Sequence, residues 1–195
     1  VAAPRPATTP CNLVVSPVGP AVVPASERQW ALLSAELQSA GARILPFAAM
    51  IDAVVGWRAR GWKVGFTNGC FDLIHAGHVS LLEQAKEHCD RLVVGLNADV
   101  SVKRLKGDHR PINSQMARAT VLASLGAVDA VVLFDEDTPM RLIEAIRPDV
   151  LVKGADYRED QVVGGDFVKS YGGQVVLAQL SPDLSTSKTI DRIKG

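Results

Sequence analysis

KVGFTNGCFDLIHAGHV, residues 63–79, is the stretch of the chain that decides its fold. Its first part, residues 63–67, is a short apolar run that predicts a buried β-strand. A loop bounded by glycine follows, and residues 79–88 then have the apolar spacing of an α-helix. A strand, a short loop and a helix in this order are the repeating unit of α/β proteins.

The same unit recurs along the rest of the chain. Further strands are predicted at Arg91–Asn97, Ala130–Phe134, 150–153 and Gln174–Ala178. Further helices are predicted at 114–124 and at 187–193. Another helix is predicted to start directly after the signal Asp137-Thr138-Pro139. Because apolar strands that alternate with helices are typical of a parallel sheet covered on both faces, the sequence predicts a doubly wound, Rossmann-like α/β fold. Ligands of such folds bind outside the carboxyl ends of the strands.

The length and the proline content together suggest how the chain is divided. It has 195 residues, which at roughly 150 residues per domain favours one domain with an appendage. Prolines are dense between residues 4 and 24, and proline disfavours both helices and central strands. Residues 27–40 fit a short helix that ends at Gly41. We therefore expect a proline-rich extension or linker with a short helix at 1–40 and the α/β domain at 41–195.

The overall composition excludes several classes of protein. Lys plus Arg and Asp plus Glu are each 21, so the chain lacks the basic excess of a general nucleic-acid or anionic-membrane binder. No apolar run approaches the roughly 18 residues of a membrane span, and no signal-peptide layout is present at the start. The three cysteines, Cys11, Cys70 and Cys89, include no CxxC pair, so neither a disulfide framework nor a zinc ribbon is supported. These features predict a soluble cytoplasmic protein.

The common nucleotide and hydrolase signatures are also missing. No glycine precedes a lysine, so there is no Walker loop, and no GxG spacing marks a dinucleotide site. A GxSxG nucleophile elbow is absent as well. These absences argue against P-loop hydrolysis, hydride transfer and α/β-hydrolase chemistry.

The loop 67–78, TNGCFDLIHAGH, has instead the features of a polyphosphate site. Glycine allows the backbone to approach a ligand closely, and the N–H groups at a helix start attract anions. His75 and His78 add two donors about one helical turn apart at that same helix start. Two other interpretations stay open: the histidines are ordinary polar residues of a helix start, or they form a metal site together with Cys70.

The block His75-Ala76-Gly77-His78 after Gly69-Cys70-Phe71-Asp72 resembles the HxGH signature of the cytidylyltransferase-like nucleotidyltransferases. Within that family, four blocks are most similar to the heptose 1-phosphate adenylyltransferases. They are TNGCFDLIHAGHV at 67–79, RLKGDHRPIN at 104–113, the span 127–157 and STSK at 185–188. The resemblance covers about residues 47–193, and it identifies 41–195 as the nucleotidyltransferase domain.

The resemblance implies a reaction and a set of catalytic residues. A substrate phosphate attacks the α-phosphorus of a nucleoside triphosphate in line, and pyrophosphate leaves without a covalent enzyme intermediate. His75 and His78 hold the triphosphate and stabilise the transition state. Lys103 and Lys106, with Arg104, lie in a predicted basic loop after the strand 91–97, where they could reach a phosphate or be merely solvated. Arg118 matches a family arginine, and a surface salt bridge is the alternative for it.

The resemblance also implies the nucleotide-binding residues. They are Thr67, Asn68, Gly69, Cys70, Phe71, Asp72, Gly77, Lys153, Gly154, Asp156, Ser185, Thr186 and Ser187. Asp72 either orders the first loop or faces the sugar phosphate. The segment 153–157 contacts base and ribose, and the segment 185–188 closes over the phosphates. Mg²⁺ is expected to arrive on ATP with its own waters, so no protein ligand is named for it.

The expected function is transfer of AMP from ATP to heptose 1-phosphate, which gives ADP-heptose for lipopolysaccharide core precursors. Two blocks depart from that branch: Gly154-Ala155-Asp156 replaces Gly-Gly-Asp, and the segment 185–188 reads STSK instead of STTN. Lys188 instead matches the glycerol-3-phosphate cytidylyltransferases, which use CTP. That reaction and a catalytically idle nucleotide-binding domain remain the alternatives. The resemblance also implies a homodimer and a fused or partner heptose kinase, whose carboxyl end residues 12–19 resemble.

Overall fold

The computed structural model describes residues 43–155 and 158–179, and their centre is one six-stranded sheet. Its strands are β1 (Arg43–Ile44), β2 (Val64–Gly69), β3 (Arg91–Asn97), β4 (Ala130–Phe134), β5 (Val150–Gly154) and β6 (Gln174–Ala178). Their order across the sheet is β1-β4-β3-β2-β5-β6, and all neighbouring strands run parallel. The predicted parallel α/β architecture is therefore confirmed.

Helices connect the strands. They are α1 (Phe47–Ala59), α2 (Ala76–Glu87), α3 (Asp99–Lys106), α4 (Gln115–Ala123), α5 (Met140–Ile146) and α6 (Gly165–Ser170), with a 3₁₀ turn at Glu159–Gln161. Within the described ranges, none of these helices is both long and apolar enough to cross a bilayer. Helix α4 begins where the sequence predicts, because the hydroxyl of Ser114 accepts the N–H of Ala117 at 3.4 Å and caps the helix.

The helices α1, α3 and α6 and the strand β1 are absent from the sequence prediction. Helix α1 has apolar residues on both sides, with Val54 buried and Val55 62% exposed, so its pattern shows no clear polar face. Helix α3 corrects the predicted basic loop, because Lys103, Arg104 and Lys106 occupy its last turn. Cations are favourable there because the carbonyl end of a helix carries negative charge. The helices predicted at 27–40 and 187–193 lie outside the described residues.

The core consists of two apolar layers, one on each face of the sheet. Alternate residues of β3 divide between them, since Val94 belongs to the layer under α2 and α4 while Val93 belongs to the layer under α1, α5 and α6. Both faces are thus covered, which explains why the strands are apolar without alternation.

The strand order also places the ligand edge of the sheet. From β2 the chain moves outward to β3 and β4 on one side, and it then returns to β5 and β6 on the other. The carboxyl ends of β2, β3 and β5 therefore lie side by side around this reversal, at Gly69, Asn97 and Gly154. This is the position at which open α/β sheets bind ligands.

Candidate functional site

The loop from Cys70 to His75 connects β2 to α2 at this edge, and its backbone is strained at one residue. Phe71 has φ +44°, in the left-handed region that residues other than glycine rarely adopt. Its ring is 5% exposed and packs toward Gly69, where an added Cβ would meet the ring at 3.1 Å. A side chain at position 69 would therefore compete with the ring for the same space.

His75 and His78 stand together at the start of α2. His75 is the residue that precedes the first helical turn, and its carbonyl accepts the N–H of His78 at 2.9 Å. The two imidazoles stack with their centroids 3.9 Å apart and their planes 26° apart. Both Nδ1 atoms are buried and have no hydrogen-bond partner among the described residues. A buried polar atom without a partner is uncommon, and here two of them belong to stacked rings at an anion-attracting helix end.

Both imidazoles favour their neutral form. Burial, followed by the charge of His75, lowers the pKa of His78 to about 4, and burial also lowers the pKa of His75. A neutral imidazole carries one N–H donor, so the pair can donate to phosphate oxygens near pH 7 without first being charged. The metal-site alternative would need at least three ligands in good geometry. Among the described residues, no three His, Cys, Asp or Glu side chains converge as a metal site would need.

Asp72 is buried under the loop, and protein donors occupy both of its carboxylate oxygens. Oδ1 accepts the N–H groups of Ile112 at 2.8 Å and Asn113 at 3.0 Å, and Oδ2 accepts Nε of Arg110 at 2.5 Å. Burial alone would raise the pKa of Asp72, but the backbone donors of Asn113 and Ile112 and the Arg110 side chain lower it. Of the two roles weighed for Asp72, this geometry favours ordering of the loop.

Arg118 is also buried, at 1% exposure, which excludes the surface salt bridge. Its guanidinium donates to the carbonyl of Cys70, to the carbonyl of Asn113 at 3.1 Å and to Oδ1 of Asp99 at 2.8 Å. The side chain thus fastens the loop to α3 and to the connection before α4. All three of these hydrogen bonds go to groups of the protein, so the geometry of Arg118 is that of a positioning residue.

The lysines predicted near the phosphates have different surroundings. Lys103 and Lys106 are exposed on α3. Burial raises the pKa of the half-buried Cys70 thiol, and the charge of Lys106 is the largest opposing influence, which places Lys106 within electrostatic reach of the loop. Arg104 is engaged elsewhere, with its Nε donating to Asp137 at 2.9 Å.

Lys153 is the third lysine among the predicted site residues, and it lies at the same edge. It lies near the end of β5, and its ammonium donates to the side-chain oxygen of Asn68 on β2 and lies 3.3 Å from the carbonyl of Asn68. Gly154 and Thr67 are buried beside them, and Gly77 is buried in the first turn of α2. The predicted binding residues Asp156, Ser185, Thr186 and Ser187 lie outside the described residues.

The structure adds buried polar residues that the sequence analysis did not single out. Asn97 ends β3 at 4% exposure, and its amide donates to the hydroxyl of Ser101 at 3.2 Å. The Cys70 sulfur lies 4.0 Å from the Asn97 oxygen, and the backbone N–H of Asp99 donates to Gln115 at 2.9 Å. The available signal was a polar residue at the end of an otherwise apolar strand.

Comparisons with known proteins agree with this geometry. A family model described as Cytidylyltransferase-like matches residues 66–191. The bifunctional protein HldE of Paramagnetospirillum magneticum is 54% identical over 189 residues, covering 97% of this chain and 39% of that protein. The bifunctional protein HldE of Caulobacter vibrioides is 58% identical over 184 residues, covering 94% of this chain and 38% of that protein. The chain therefore spans about two fifths of the length of these curated relatives.

A solved structure has the same fold. The crystal structure of the lipopolysaccharide core biosynthesis protein from Thermoplasma volcanium superposes with a TM-score of 0.52 and 28% identity, covering 62% of this chain and 98% of that one. The family match begins within β2 and includes the strained loop, both stacked histidines and α2. On that match, the chain belongs to the cytidylyltransferase-like family of nucleotidyltransferases.

Proposed function

We propose that this chain transfers the adenylyl group of ATP to the phosphate of heptose 1-phosphate, releasing pyrophosphate and giving ADP-heptose. The observation that carries the proposal is the stacked His75–His78 pair, whose buried Nδ1 atoms have no partner among the described residues. Its position at the N-terminus of α2 suits a polyphosphate, because the free N–H groups of the first turn add to the two imidazole donors.

The proposed chemistry is a single in-line displacement. An oxygen of the sugar phosphate forms a bond to the α-phosphorus, the bond from the α-phosphorus to the bridging oxygen breaks, and that oxygen leaves on pyrophosphate. The residues contribute position and charge stabilisation, since no nucleophilic side chain is needed. His75 and His78 donate to the phosphate oxygens as negative charge moves onto the leaving group. Lys106 supplies a cation at the edge of the loop.

Magnesium enters this proposal as part of the substrate MgATP. The buried carboxylate of the loop, Asp72, has both oxygens occupied by protein donors and fits poorly as a metal ligand. Mg²⁺ characteristically keeps several waters and binds substrate phosphates, so a nucleotide-borne ion suits these surroundings.

The substrate assignment is supported by the relatives and by the sequence blocks. The HldE proteins match nearly the whole chain, and the Thermoplasma protein is described as acting in lipopolysaccharide core biosynthesis. The name "bifunctional" and the greater length of the HldE proteins support a fused or partner sugar kinase that supplies the 1-phosphate. A homodimer completes the proposal, as the family resemblance implies.

A second candidate is a glycerol-3-phosphate cytidylyltransferase. Lys188 favours it, because the STSK segment departs from the heptose branch at that position. The phosphate machinery would be shared, so only the base and the acceptor would differ. A catalytically idle nucleotide-binding domain is the remaining alternative, and the retained histidine pair argues against it.

The test is to identify the products. The chain is incubated with MgATP and heptose 1-phosphate, and ³¹P NMR follows the formation of a sugar–nucleoside diphosphate and of pyrophosphate. The proposal expects both products in equal amounts with the wild-type chain and neither with a His75→Ala/His78→Ala double variant. Production of the diphosphate only from CTP and glycerol 3-phosphate would establish the second candidate. Nucleotide binding without turnover in every combination would establish an idle domain.

A further inference from the structure

Asp72 joins two segments that are far apart in the sequence, the loop 70–75 and the connection 107–114. Its carboxylate, with a fully buried side chain, accepts backbone N–H groups from Ile112 and Asn113, and the side-chain amide of Asn113 donates back to the Asp72 carbonyl at 3.0 Å. Arg118 binds the same two segments through the carbonyls of Cys70 and Asn113. The two segments are therefore tied together by Asp72 and, through Cys70, by Arg118.

The residue before Asp72 explains what this attachment does. Phe71 keeps a left-handed backbone conformation that persists only where surrounding structure enforces it. Its ring lies 5.2 Å from the ring of His78, which in turn stacks on His75. A shift at Phe71 would thus remove one wall of the pocket that holds the two imidazoles.

We propose that Asp72 is a positioning residue for His75 and His78: by holding the backbone of Ile112 and Asn113, its carboxylate fixes the turn at Phe71 against which the stacked imidazoles pack. The placement stands on contacts within the chain, whereas its consequence for catalysis rests on the proposed function. Asp72 acts through the loop and touches no reacting atom.

A carboxylate is needed at position 72 because both of its oxygens accept hydrogen bonds from N–H groups. Asn has nearly the same volume, but one of its terminal atoms is an N–H₂ donor that would face the N–H groups of the connection or the Arg110 guanidinium. Asp72→Asn should therefore release the connection without opening a cavity. Asp129 provides a matched control: it also accepts a backbone N–H, from Leu92 at 2.7 Å, and pairs with Lys86 at 2.5 Å. It directly precedes β4, at the opposite edge of the sheet.

The experiment compares the full chain with Asp72→Asn and Asp129→Asn variants. NMR follows the titration of the His75 and His78 imidazoles without substrate, and kcat and KM are measured for pyrophosphate release. We expect Asp72→Asn to raise the pKa of His78 by at least about one unit toward its ordinary value. Loss of a nearby negative charge alone would lower that pKa, so a rise reports movement of the ring out of its buried position.

In the same variant kcat should fall at least about tenfold, with a smaller change in KM for ATP, because misplaced donors weaken the transition state more than the ground state. Asp129→Asn should leave both readouts at the wild-type values. If Asp72→Asn yields no folded protein, Arg110→Gln removes one donor of the cluster and should shift the titration in the same direction by less.

The outcomes separate this proposal from the proposed function. Unchanged imidazole titrations in a folded Asp72→Asn variant overturn the positioning role even if the wild-type chain is active. If Asp72→Asn does not fold, unchanged titrations in Arg110→Gln overturn it in the same way. A raised His78 pKa in a chain that releases no pyrophosphate from any substrate pair supports the positioning role and overturns the proposed function.

Discussion

His75 and His78 share one place at the start of α2, and each should contribute as a donor to the transition state. We predict that His75→Ala and His78→Ala each lower kcat by at least about a hundredfold, the scale of one lost transition-state donor. Folding should change little, because the buried Nδ1 atoms have no protein partner to lose among the described residues. His88→Ala, at the exposed opposite end of the same helix, is the matched control and should retain wild-type turnover. Near-normal turnover in either site variant would contradict the assignment.

The neutral state of His78 should also be visible in stability. The native pKa is lowered from 6.5 to about 4, so between these values the unfolded chain binds more protons than the native one. The free energy of unfolding should therefore fall as the pH drops through this window, by at most about 2 kcal/mol after allowance for partial exposure. Urea denaturation at about pH 7 and about pH 4.5 measures this loss.

His78→Gln should lose less stability over that interval than the wild-type chain, since it removes the titrating group. His88→Gln should behave as the wild-type chain does. Equal losses in His78→Gln and the wild-type chain would show that His78 has an ordinary pKa in the native state.

Between elements, Arg118 is the side chain that joins the loop, α3 and α4. Arg118→Met would leave Asp99 without its partner and the carbonyls of Cys70 and Asn113 without this donor, so we expect the free energy of unfolding to fall by about 2 kcal/mol or more. Arg141→Met is the control: this arginine pairs with Glu136 at 65% exposure and should change stability by less than about 0.5 kcal/mol. Denaturant unfolding of both variants checks the difference, and similar effects would contradict it.

The strands and helices differ in how well they can be predicted from the sequence. Parallel strands inside a covered sheet have continuous apolar sequences. Three strands could therefore be predicted with their exact bounds: Arg91–Asn97, Ala130–Phe134 and Gln174–Ala178. The histidine pair was predictable because its residues are adjacent in one motif. Helix α3 was not, since only Ser101 and Val102 of its residues are buried and a polar segment of this length has no distinct period.

The network around Asp72 and Arg118 shows a second limit. The contacts that join the loop 70–75 to this network span 38 to 48 residues of the chain, so no local spacing marks them. The sequence pattern identified Asp72 and Arg118 as candidate site residues. Only the folded structure shows that both side chains join the loop 70–75 to the connection 107–114. The left-handed turn at Phe71 was also unpredictable, because phenylalanine carries no preference for that conformation.

For the whole molecule, we propose that residues 1–40 are dispensable for catalysis. The described site residues all lie in β2 or after it, and the first strand of the described sheet begins at Arg43, which pairs with Ala130. A chain that begins at Gly41 should therefore keep its thermal midpoint and its rate of pyrophosphate release. Circular dichroism melting and the pyrophosphate assay check this. A lowered midpoint would show that the proline-rich segment packs on the domain.

The specificity constant for each nucleotide tests the central claim, adenylyl transfer to a sugar 1-phosphate, most directly. Pyrophosphate release is measured with ATP and with CTP, each crossed with heptose 1-phosphate and glycerol 3-phosphate, at saturating magnesium. A site shaped to one base leaves polar groups unpaired with the other. We predict that with heptose 1-phosphate ATP exceeds CTP in kcat/KM by at least about tenfold, or ~1.4 kcal/mol. Equal or better use of CTP with that acceptor, or no pyrophosphate from any pair, would contradict it.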